Sequence, residues 1–502
     1  MVRVRVRVGA GVGVRVGARV GARVGGRVRR RGAAVSAPFT LDLGAPRVVH
    51  IVGVGGAGMS AIATVLARMG HRVSGSDLRA SAAFDRLGSL GVTTTVGHDG
   101  ANVPVDADAV VISTAIPATN PEVVAAAALG IPVLARAEAL RAIVATRATV
   151  AVAGSHGKTT TSSMLALILR AAGRRPSFVI GGDLNEVGTN AAWEDDGDRL
   201  VVEADESDGT FLELAPHDVI VTSVLPDHLD HAGDFDTLTE AFARFLAGAP
   251  GVRVVCADDP VAAALAGRPD VADTGTPLVS YGFAEHADYR AAGYEGGRRG
   301  SRFTLTLRGE ALGTVELPVP GHHNALNAAG AAALALELGV EPATVVRALG
   351  GFGGVARRFQ FRGERDGITY VDDYAHLPSD VDAMIRAARE GEWRRVVAVF
   401  QPHRYSRTEA LWRDFADAFV GADTLVLTDV YAAGEQPRPG VSGRLLLRAV
   451  LDAHPGQHVV YLPRRADLVA HVPALARAGD VVLTLGAGDL TTAPDEWLAR
   501  PA

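Results

Sequence analysis

Between Val150 and Thr161 the chain reads V-A-V-A-G-S-H-G-K-T-T-T: a short apolar run of strand type, two glycines, then a stretch of helical character. That order suits the binding of phosphate. Gly154 and Gly157 let the backbone turn tightly and aim its N–H groups, through Ser155 and His156, at one point, to which the following helix also presents its positive N-terminal end. Lys158 adds a mobile full charge for the outer phosphates, and the hydroxyl of Thr159 or Thr160 is suited to ligate Mg²⁺. The spacing is shorter than G-x-x-x-x-G-K-[ST], because Val152 stands where the first glycine would be. Composition compensates: Lys158 is the only lysine in 502 residues, and every other strongly basic side chain is arginine. A compact ammonium on a flexible stem does what a planar guanidinium cannot. The bland alternative, a glycine-rich turn with a solvated lysine, has to ignore the co-occurrence of strand, glycines, Lys-Thr-Thr and helix.

Two further loops bear chemistry near this turn. One is Glu203-Ala204-Asp205-Glu206-Ser207-Asp208 and the other Asp227-His228-Leu229-Asp230-His231, each after an apolar run read as a strand (Leu200 to Glu203 and Val219 to Val224). Ligands of open α/β sheets bind at the C-terminal ends of strands, and a carboxylate with an imidazole beside a phosphate seat suits a divalent metal. Taken singly, either loop is as well explained as a solvated acidic loop or a helix cap.

A second glycine turn lies upstream. The strand-like run from Arg47 to Val52 leads into Gly53-x-Gly55-x-x-Gly58, with Gly56 between, then a helix expected from about Ser60 to Met69, and a second strand ending in Asp77. This is the dinucleotide fingerprint, with an acid about 20 residues on that can take a ribose hydroxyl. Alone it would indicate NAD, but the glycines and helix end bind pyrophosphate, so another nucleotide diphosphate fits equally. Strand Ala109 to Ser113, helix Pro121 to Leu129 and strand Ile131 to Leu134 continue the alternation. Further on, residues 349 to 354 form a hinge-like glycine run, after which strands at Val396 to Phe400, Thr424 to Leu427, Val459 to Leu462 and Val481 to Leu485 mark another α/β unit. It carries Asp372-Asp373-Tyr374-Ala375-His376 and Gln401-Pro402-His403-Arg404, in which arginine and histidines are suited to a carboxylate or a charged intermediate, and Gly486-Ala487-Gly488-Asp489, a turn of anion-binding type.

Length and composition set the frame. A chain of 502 residues suggests about three domains, and 48% hydrophobic residues suffice for their cores. No apolar run reaches the roughly 18 residues of a membrane span. One cysteine, Cys256, excludes an intramolecular disulfide and a cysteine-cluster metal site, and the cytoplasm is the expected compartment. The net charge of −6 hides ten arginines, and no acid, in the first 31 residues, so the body is acidic and nucleic-acid binding by it is not expected. We read residues 1–44, low-complexity Val/Arg/Gly, as disordered or as lying upstream of the true start.

In the order they occur, G-V-G-G-A-G-M-S (53 to 60), S-T-A-I-P-A-T-N-P-E-V (113 to 123), G-S-H-G-K-T-T (154 to 160), E-A-D-E-S-D (203 to 208), D-H-L-D (227 to 230), H-N-A-L-N-A (323 to 328), R-R-F-Q (357 to 360), D-D-Y-A-H (372 to 376), Q-P-H-R-Y-S-R-T (401 to 408) and D-V-Y-A-A-G-E (429 to 435) resemble the Mur ligase family, from Arg47 to the C-terminus. The resemblance implies an α/β fold of three domains: a Rossmann-like N-terminal domain for the UDP moiety (45–148), a central P-loop-type ATPase (149–352) and a Rossmann-like C-terminal domain for the amino acid (353–502). It implies an ATP-dependent carbon-nitrogen ligase of peptidoglycan and cell-wall synthesis that activates the muramyl carboxylate of UDP-N-acetylmuramate as an acyl phosphate and joins it to L-alanine. The site residues it implies are Gly55, Gly56, Gly58, Ser60, Asp77 and Ser113 for the UDP-sugar, and Gly154, Ser155, His156, Gly157, Lys158, Thr159, Thr160, Asn324 and Arg358 for ATP. Thr159, Glu203 and His228 would hold Mg²⁺, and Lys158, Glu203, His228, His376 and Arg404 would carry catalysis. ATP and Mg²⁺ are the cofactors, the two small molecules the partners, and the expected assembly is a monomer or homodimer without nucleic acid or membrane insertion.

Family members that add later amino acids resemble one another in a second, carbamylated lysine, and this chain has none to offer, which favours the alanine-adding branch. Leu377, Ala356 and Leu225-Pro226 depart from the family's usual residues, and Leu377 leaves open how strictly alanine is preferred over glycine or serine. The competing readings are a ligase of the same family that attaches a tripeptide in muropeptide recycling, an NAD(P)-dependent oxidoreductase, and a non-catalytic scaffold. Deleting residues 1 to 38 is expected to leave turnover and thermal stability nearly unchanged, as paired melting curves and initial rates of the full and shortened chains would register.

Overall fold

Three sheets, each with buried apolar central strands, organise the described residues. In the computed structural model the described residues are 40–113, 115–206, 209–226 and 233–500. The N-terminal tract read as disordered falls almost wholly outside them, as do Ser207, Asp208 and residues 227 to 232. The first sheet has strands β1 (Val48–Val52), β2 (Arg72–Asp77), β3 (Thr93–Val96), β4 (Ala109–Ile112) and β5 (Val133–Ala135), all parallel in the order β3-β2-β1-β4-β5. Its crossovers include α1 (Ala57–Arg68), α2 (Ala82–Ser89) and α3 (Pro121–Leu129), and α4 (Arg136–Val144) follows β5. Helix α1 begins three residues earlier than expected. The small residues Ala57 and Gly58 carry no apolar periodicity, yet they sit where the turn has already become helical.

The second sheet has ten strands in the order β15-β14-β13-β12-β11-β10-β6-β9-β7-β8. Its parallel part is β6 (Thr149–Ala153), β7 (Ser177–Leu184), β9 (Leu200–Ala204), β10 (Asp218–Val221), β11 (Arg253–Cys256) and β12 (Leu278–Gly282). An antiparallel partner, β8 (Thr189–Ala192), closes one edge, and the meander β13 (Tyr289–Gly297), β14 (Gly300–Leu307), β15 (Glu310–Leu317) extends the other. Strand β6 lies between β10 and β9, so connections leave it in opposite directions. The sequence turn after β6 is therefore at the topological switch point, where α/β sheets open a crevice. Helices α5 (Lys158–Ala171), α6 (Phe235–Ala247) and α7 (His322–Glu337) pack on this sheet.

The third sheet orders β16 (Gln360–Arg365), β17 (Ile368–Asp373), β18 (Val396–Phe400), β19 (Thr424–Leu427), β20 (Val459–Tyr461) and β21 (Val481–Leu485) as β16-β17-β21-β18-β19-β20, with only β16 antiparallel. Helices α8 (Pro378–Glu390) and α9 (Tyr405–Leu411) follow β17 and β18. The central strand residues Val396 to Phe400 and Val481 to Leu485 are buried throughout, as expected of strands covered on both faces. One apolar cluster runs from Val49 and Ile62 to Val202 and Phe242, so α1 and the first sheet share core with the second. The glycine run 349 to 354 is not a loose hinge. Phe352 is buried in the second domain, Asn185 donates to the Gly353 carbonyl at 2.7 Å, and Glu186 accepts from the Gly353 amide.

Beneath the first glycine turn lies a buried charge. The Glu122 carboxylate accepts from Ser76 Oγ (2.5 Å) and Asn102 Nδ2 (2.6 Å), and stands 3.6 Å from His50 Nε2 and 3.4 Å from His98 Nδ1. Burial alone would raise its pKa, but hydrogen bonds from His50, Ser76 and Asn102 hold it down at about 2. It thereby joins the end of β2, the segment after β3 and the start of α3. Glu122→Ala is expected to cost about 3 kcal/mol at pH 7, because several buried donors lose their acceptor at once. A pKa depressed in the folded state means that this stability is present above the ordinary value of 4.5 and lost as pH falls through about 2. Denaturant midpoints for variant and wild type should therefore converge over that interval.

Candidate active site

The turn after β6 accepts no side chain at two positions. Gly154 has φ +133°, and a Cβ there would come 2.1 Å from Thr222 Oγ1; Gly157 has φ +81°, and its Cβ would come 2.3 Å from Asn327 Oδ1. Neighbours hold the turn. Ser155 N–H donates to the Ser223 carbonyl (3.0 Å), His156 N–H to Ser223 Oγ (3.1 Å), and Ser155 Oγ accepts from Leu225 N–H (2.9 Å). The amides of Ser155 and His156 are thus spent on the protein, contrary to the expectation that they point at phosphate. The amides of residues 157 to 160 find no acceptor among the described residues, so the first turn of α5, with its dipole, is suited to seat an anion.

Lys158 is not a free charge in this structure. Its Nζ donates to the Gly154 carbonyl (2.6 Å) and to both oxygens of Glu206 (3.0 and 2.8 Å), with Lys158 15% and Glu206 1% exposed at the side chain. Burial alone would lower the lysine pKa, but Glu206, Asp205 and Glu203 outweigh it and raise it, so the ammonium stays charged. Glu203, next to last in β9, is in register with Val152 of β6, and its Oε1 is buried without a hydrogen-bond partner among the described residues. The hydroxyl of Thr159, a buried residue, accepts from Arg358 (3.3 Å), and Thr160 is also buried. An orphaned carboxylate oxygen and a hydroxyl beside an anion seat fit a hard divalent cation. His228 lies outside the described residues.

In the first domain, Asp77 Oδ2 accepts from Gly55 N–H (3.0 Å), and a Cβ on Gly55 would approach that oxygen to 2.9 Å. The acid thus spends one oxygen on shaping the turn. Gly56 is open, Ser113 Oγ faces Gly53, and Ser60, one turn into α1, donates to the Ala57 carbonyl (3.0 Å). Sequence reasoning missed Arg136: its Nη1 would lie 3.0 Å from a Cβ on Gly58, and its Nη2 is 3.9 Å from Asp205 Oδ2, so it spans the first glycine turn and the acidic loop after β9.

The third domain contributes a cluster of rings. His376 lies 6.1 Å from His403 between ring centroids, His403 stacks on Tyr431 at 5.7 Å, and Arg407 approaches His403 Nδ1 at 3.2 Å. Burial lowers the pKa of His376 to about 3 and, with Arg407 and Arg404 adding repulsion, that of His403 to about 4, so both are neutral at pH 7. Arg404 has φ +70° and ψ 138°, a strained backbone for a side-chain-bearing residue, and its N–H donates to the Tyr431 carbonyl at 2.8 Å. Strain of this kind, costing about 1–3 kcal/mol, concentrates at functional sites. Arg358, besides its bond to Thr159, lies over the Tyr374 ring at 5.3 Å and so links the seat to this domain.

Asn324 Nδ2 donates to the Pro320 carbonyl (2.7 Å), and the residue facing Gly157 is Asn327, three positions on. The turn 486 to 489 turns carbonyls inward: Gly486 O and Gly488 O accept from Arg357 at 2.6 and 3.5 Å, the opposite of an anion nest.

A parallel sheet with a lysine-bearing anion seat at its switch point, flanked by a dinucleotide-type domain and by a third domain carrying neutral imidazoles and arginine, defines a nucleotide-dependent enzyme of three α/β domains. Three family models match in succession: "Mur ligase family, catalytic domain" over residues 48–148, "Mur ligase middle domain" over 152–335 and "Mur ligase, glutamate ligase domain" over 357–488. The chain belongs to the Mur ligase family, whose members are ATP-dependent ligases. It is 46% identical to the UDP-N-acetylmuramate–L-alanine ligase of Rubrobacter xylanophilus over 459 residues, 90% of this chain and 99% of that one. It is 48% identical to the enzyme of that name from Anaeromyxobacter dehalogenans strain 2CP-1 over 453 residues, 90% and 97% of the two chains. Among solved structures, the UDP-N-acetylmuramate-alanine ligase of Thermotoga maritima superposes with a TM-score of 0.77 at 28% identity, covering 90% of this chain and 98% of that one. A murein peptide ligase of Psychrobacter arcticus shares the fold with a TM-score of 0.66 at 23% identity, covering 91% and 100%. Family membership leaves the oxidoreductase reading of the first glycine turn without support.

Gly157→Ala is expected to weaken binding of a non-hydrolysable ATP analogue at least about tenfold, since both the left-handed φ and the contact with Asn327 forbid a Cβ without shifting the seat. Calorimetric titration would measure it.

Proposed function

We propose that this chain joins L-alanine to the muramyl carboxylate of UDP-N-acetylmuramate with cleavage of ATP to ADP and phosphate, in the cytoplasm, as a step in making peptidoglycan precursors. The observation that carries the reading is the anion seat at α5, with Lys158 beside the orphaned Glu203 oxygen and the ring cluster of the third domain, in a chain nearly half identical over nine-tenths of its length to relatives of that name. The domains divide the work: 45–148 for the UDP-sugar, 149–352 for ATP and 353–502 for the amino acid.

The chemistry joins two anions, so charge is the barrier. The amides of residues 157 to 160, without acceptors among the described residues, and the α5 dipole take the phosphates, and Lys158 exchanges the Glu206 carboxylate for phosphate oxygens. Thr159, Glu203 and His228 would hold Mg²⁺, which neutralises phosphate charge. The muramyl carboxylate oxygen attacks the γ-phosphorus, ADP departs, and an acyl phosphate results. The alanine ammonium gives one proton to solvent, its amine nitrogen attacks the acyl carbon, the tetrahedral intermediate expels phosphate, and the amide forms with loss of a second proton. In the third domain Arg404 is suited to the amino-acid carboxylate. Neutral His376 and His403 line that region without repelling the alanine ammonium, which imidazolium rings would do. Closing the third domain over the seat keeps water from the acyl phosphate.

ADP release measured with Mg·ATP and UDP-N-acetylmuramate should require L-alanine; release with a muramyl-type tripeptide alone would place the chain in muropeptide recycling, and no release with either would sink the assignment. Lys158→Ala should lower kcat by about a thousandfold or more. It should also destabilise the fold by roughly 2 kcal/mol, because Glu206 is left buried without its partner. The double variant Lys158→Ala/Glu206→Gln should regain the stability, read from melting curves, and none of the turnover.

A further inference from the structure

His156 sits in the middle of the phosphate turn, yet both nitrogens of its ring face another domain. Nδ1 lies 2.9 Å from Asp380 Oδ1 and Nε2 lies 2.9 Å from Ser379 Oγ, both in the first turn of α8. The backbone of His156 has no freedom to follow them. Its N–H is tied to Ser223 Oγ at 3.1 Å and its carbonyl accepts from Thr222 Oγ1 at 2.5 Å. The ring is therefore a rigid peg projecting from the nucleotide seat.

Asp380 faces both ways. While Oδ1 meets His156, Oδ2 lies 3.4 Å from Leu377 N and 3.5 Å from His376 N, capping α8, and 3.9 Å from His376 Nδ1. Burial alone would raise its pKa, but His156, then His376 and Arg358, hold the carboxyl well below the usual range, so it is ionised. The far end of α8 is also fastened to the central domain: Tyr294 of β13 donates to Glu390, and Arg298 of the β13–β14 turn donates to the carbonyls of Gly391 and Glu392, both at 3.0 Å. One helix of the third domain is thus held at both ends by the second, and its N-terminal attachment is to the phosphate turn itself.

We propose that His156 and Asp380 form a latch that seats the third domain on the nucleotide turn and positions His376, so that the amino-acid site is completed by the turn that holds the phosphates. His156 then serves as a positioning residue and not as a phosphate ligand. The catalytic part of this inference rests on the ligase reading above; the structural part does not.

The test is a double-mutant cycle with His156→Ala and Asp380→Asn; asparagine keeps an oxygen to cap α8, so folding is preserved. Each single variant should raise the KM for L-alanine about tenfold with less than about a twofold change in the KM for ATP, and the double variant should be no worse than either single one. Additive effects, about a hundredfold together, would overturn the latch, as would a raised KM for ATP with that for alanine unchanged. In parallel, fluorescent labels on Glu285→Cys (92% exposed) and Leu451→Cys (37% exposed), with native Cys256 buried, report the distance between second and third domains by energy transfer. With a non-hydrolysable ATP analogue present, both latch variants should show a longer or broader distance than the otherwise unaltered chain; distances identical in all three would refute the latch. An unaltered chain without ligase turnover whose latch variants still lengthen that distance would reject the assigned reaction and keep the latch.

Discussion

A carboxylate and a triphosphate repel each other, and the structure answers that repulsion at one short turn on which the rest of the fold converges. The turn between β6 and α5 sits at the switch point of the largest sheet, where strand order forces a crevice. From the second domain, Thr222, Ser223 and Leu225 fasten it and Asn327 closes against it. Arg136 leans from the first domain toward the neighbouring acidic loop, and Arg358, Ser379 and Asp380 reach it from the chain leading into the third domain and from that domain itself. Backbone donors fixed in advance stabilise a shifting charge without themselves reorganising.

How much of this was legible in the sequence depends on whether the signal is local. Strands buried on both faces, such as Val396–Phe400, Thr424–Leu427 and Val481–Leu485, announce themselves as apolar runs, and the asparagine-capped, proline-started helix Pro121–Leu129 carries its own boundaries. The meander β13 to β15 was not visible. Its exposed arginines, glycines and glutamate interrupt any apolar run, and its stability comes from cross-strand pairing that one strand does not encode. In the candidate site, Gly154, Gly157 and Lys158 were legible as a tight turn with a cation because their spacing is local, and Glu203 was singled out by its place near a strand end and by resemblance. Asn327, Arg136 and Asp380 were not, since each acts through a partner far away in the chain. The amides of Ser155 and His156 misled for the same reason: their acceptor, Ser223, is distant in sequence.

Three of the positive-φ residues and two neutral imidazoles lie in the region proposed for the amino acid. Arg404 holds a backbone conformation that costs energy, and Arg357 and Phe359, between the second and third domains, also have positive φ. These are paid for by surroundings that over-determine them: the Arg404 amide on Tyr431, Arg357 on the carbonyls of Gly486 and Gly488, and Phe359 N–H on the buried Asp373 at 2.7 Å. Around them His376 and His403 are kept uncharged by burial and by neighbouring arginines, so the positive charge of the region resides on guanidinium groups, whose planar forks suit carboxylate.

The lone lysine follows from the same geometry. At Lys158 Nζ three acceptors converge on one atom: the Gly154 carbonyl and the two oxygens of Glu206. An ammonium offers three donors from a single centre and fits such a convergence, whereas a guanidinium spreads five donors over a rigid plane and cannot direct three of them to one point. The same property lets the group change partners, since a compact charge on a four-carbon stem can leave Glu206 for phosphate oxygens by stem rotation. Arginine elsewhere in the chain performs static tasks, such as Arg395 on Asp480, Arg268 on Asp270 and Arg357 on two carbonyls, where a fixed fork is the better tool. A chain that uses arginine at every other strongly basic position thus keeps lysine where, on the proposed mechanism, one cation serves a carboxylate and a triphosphate in turn.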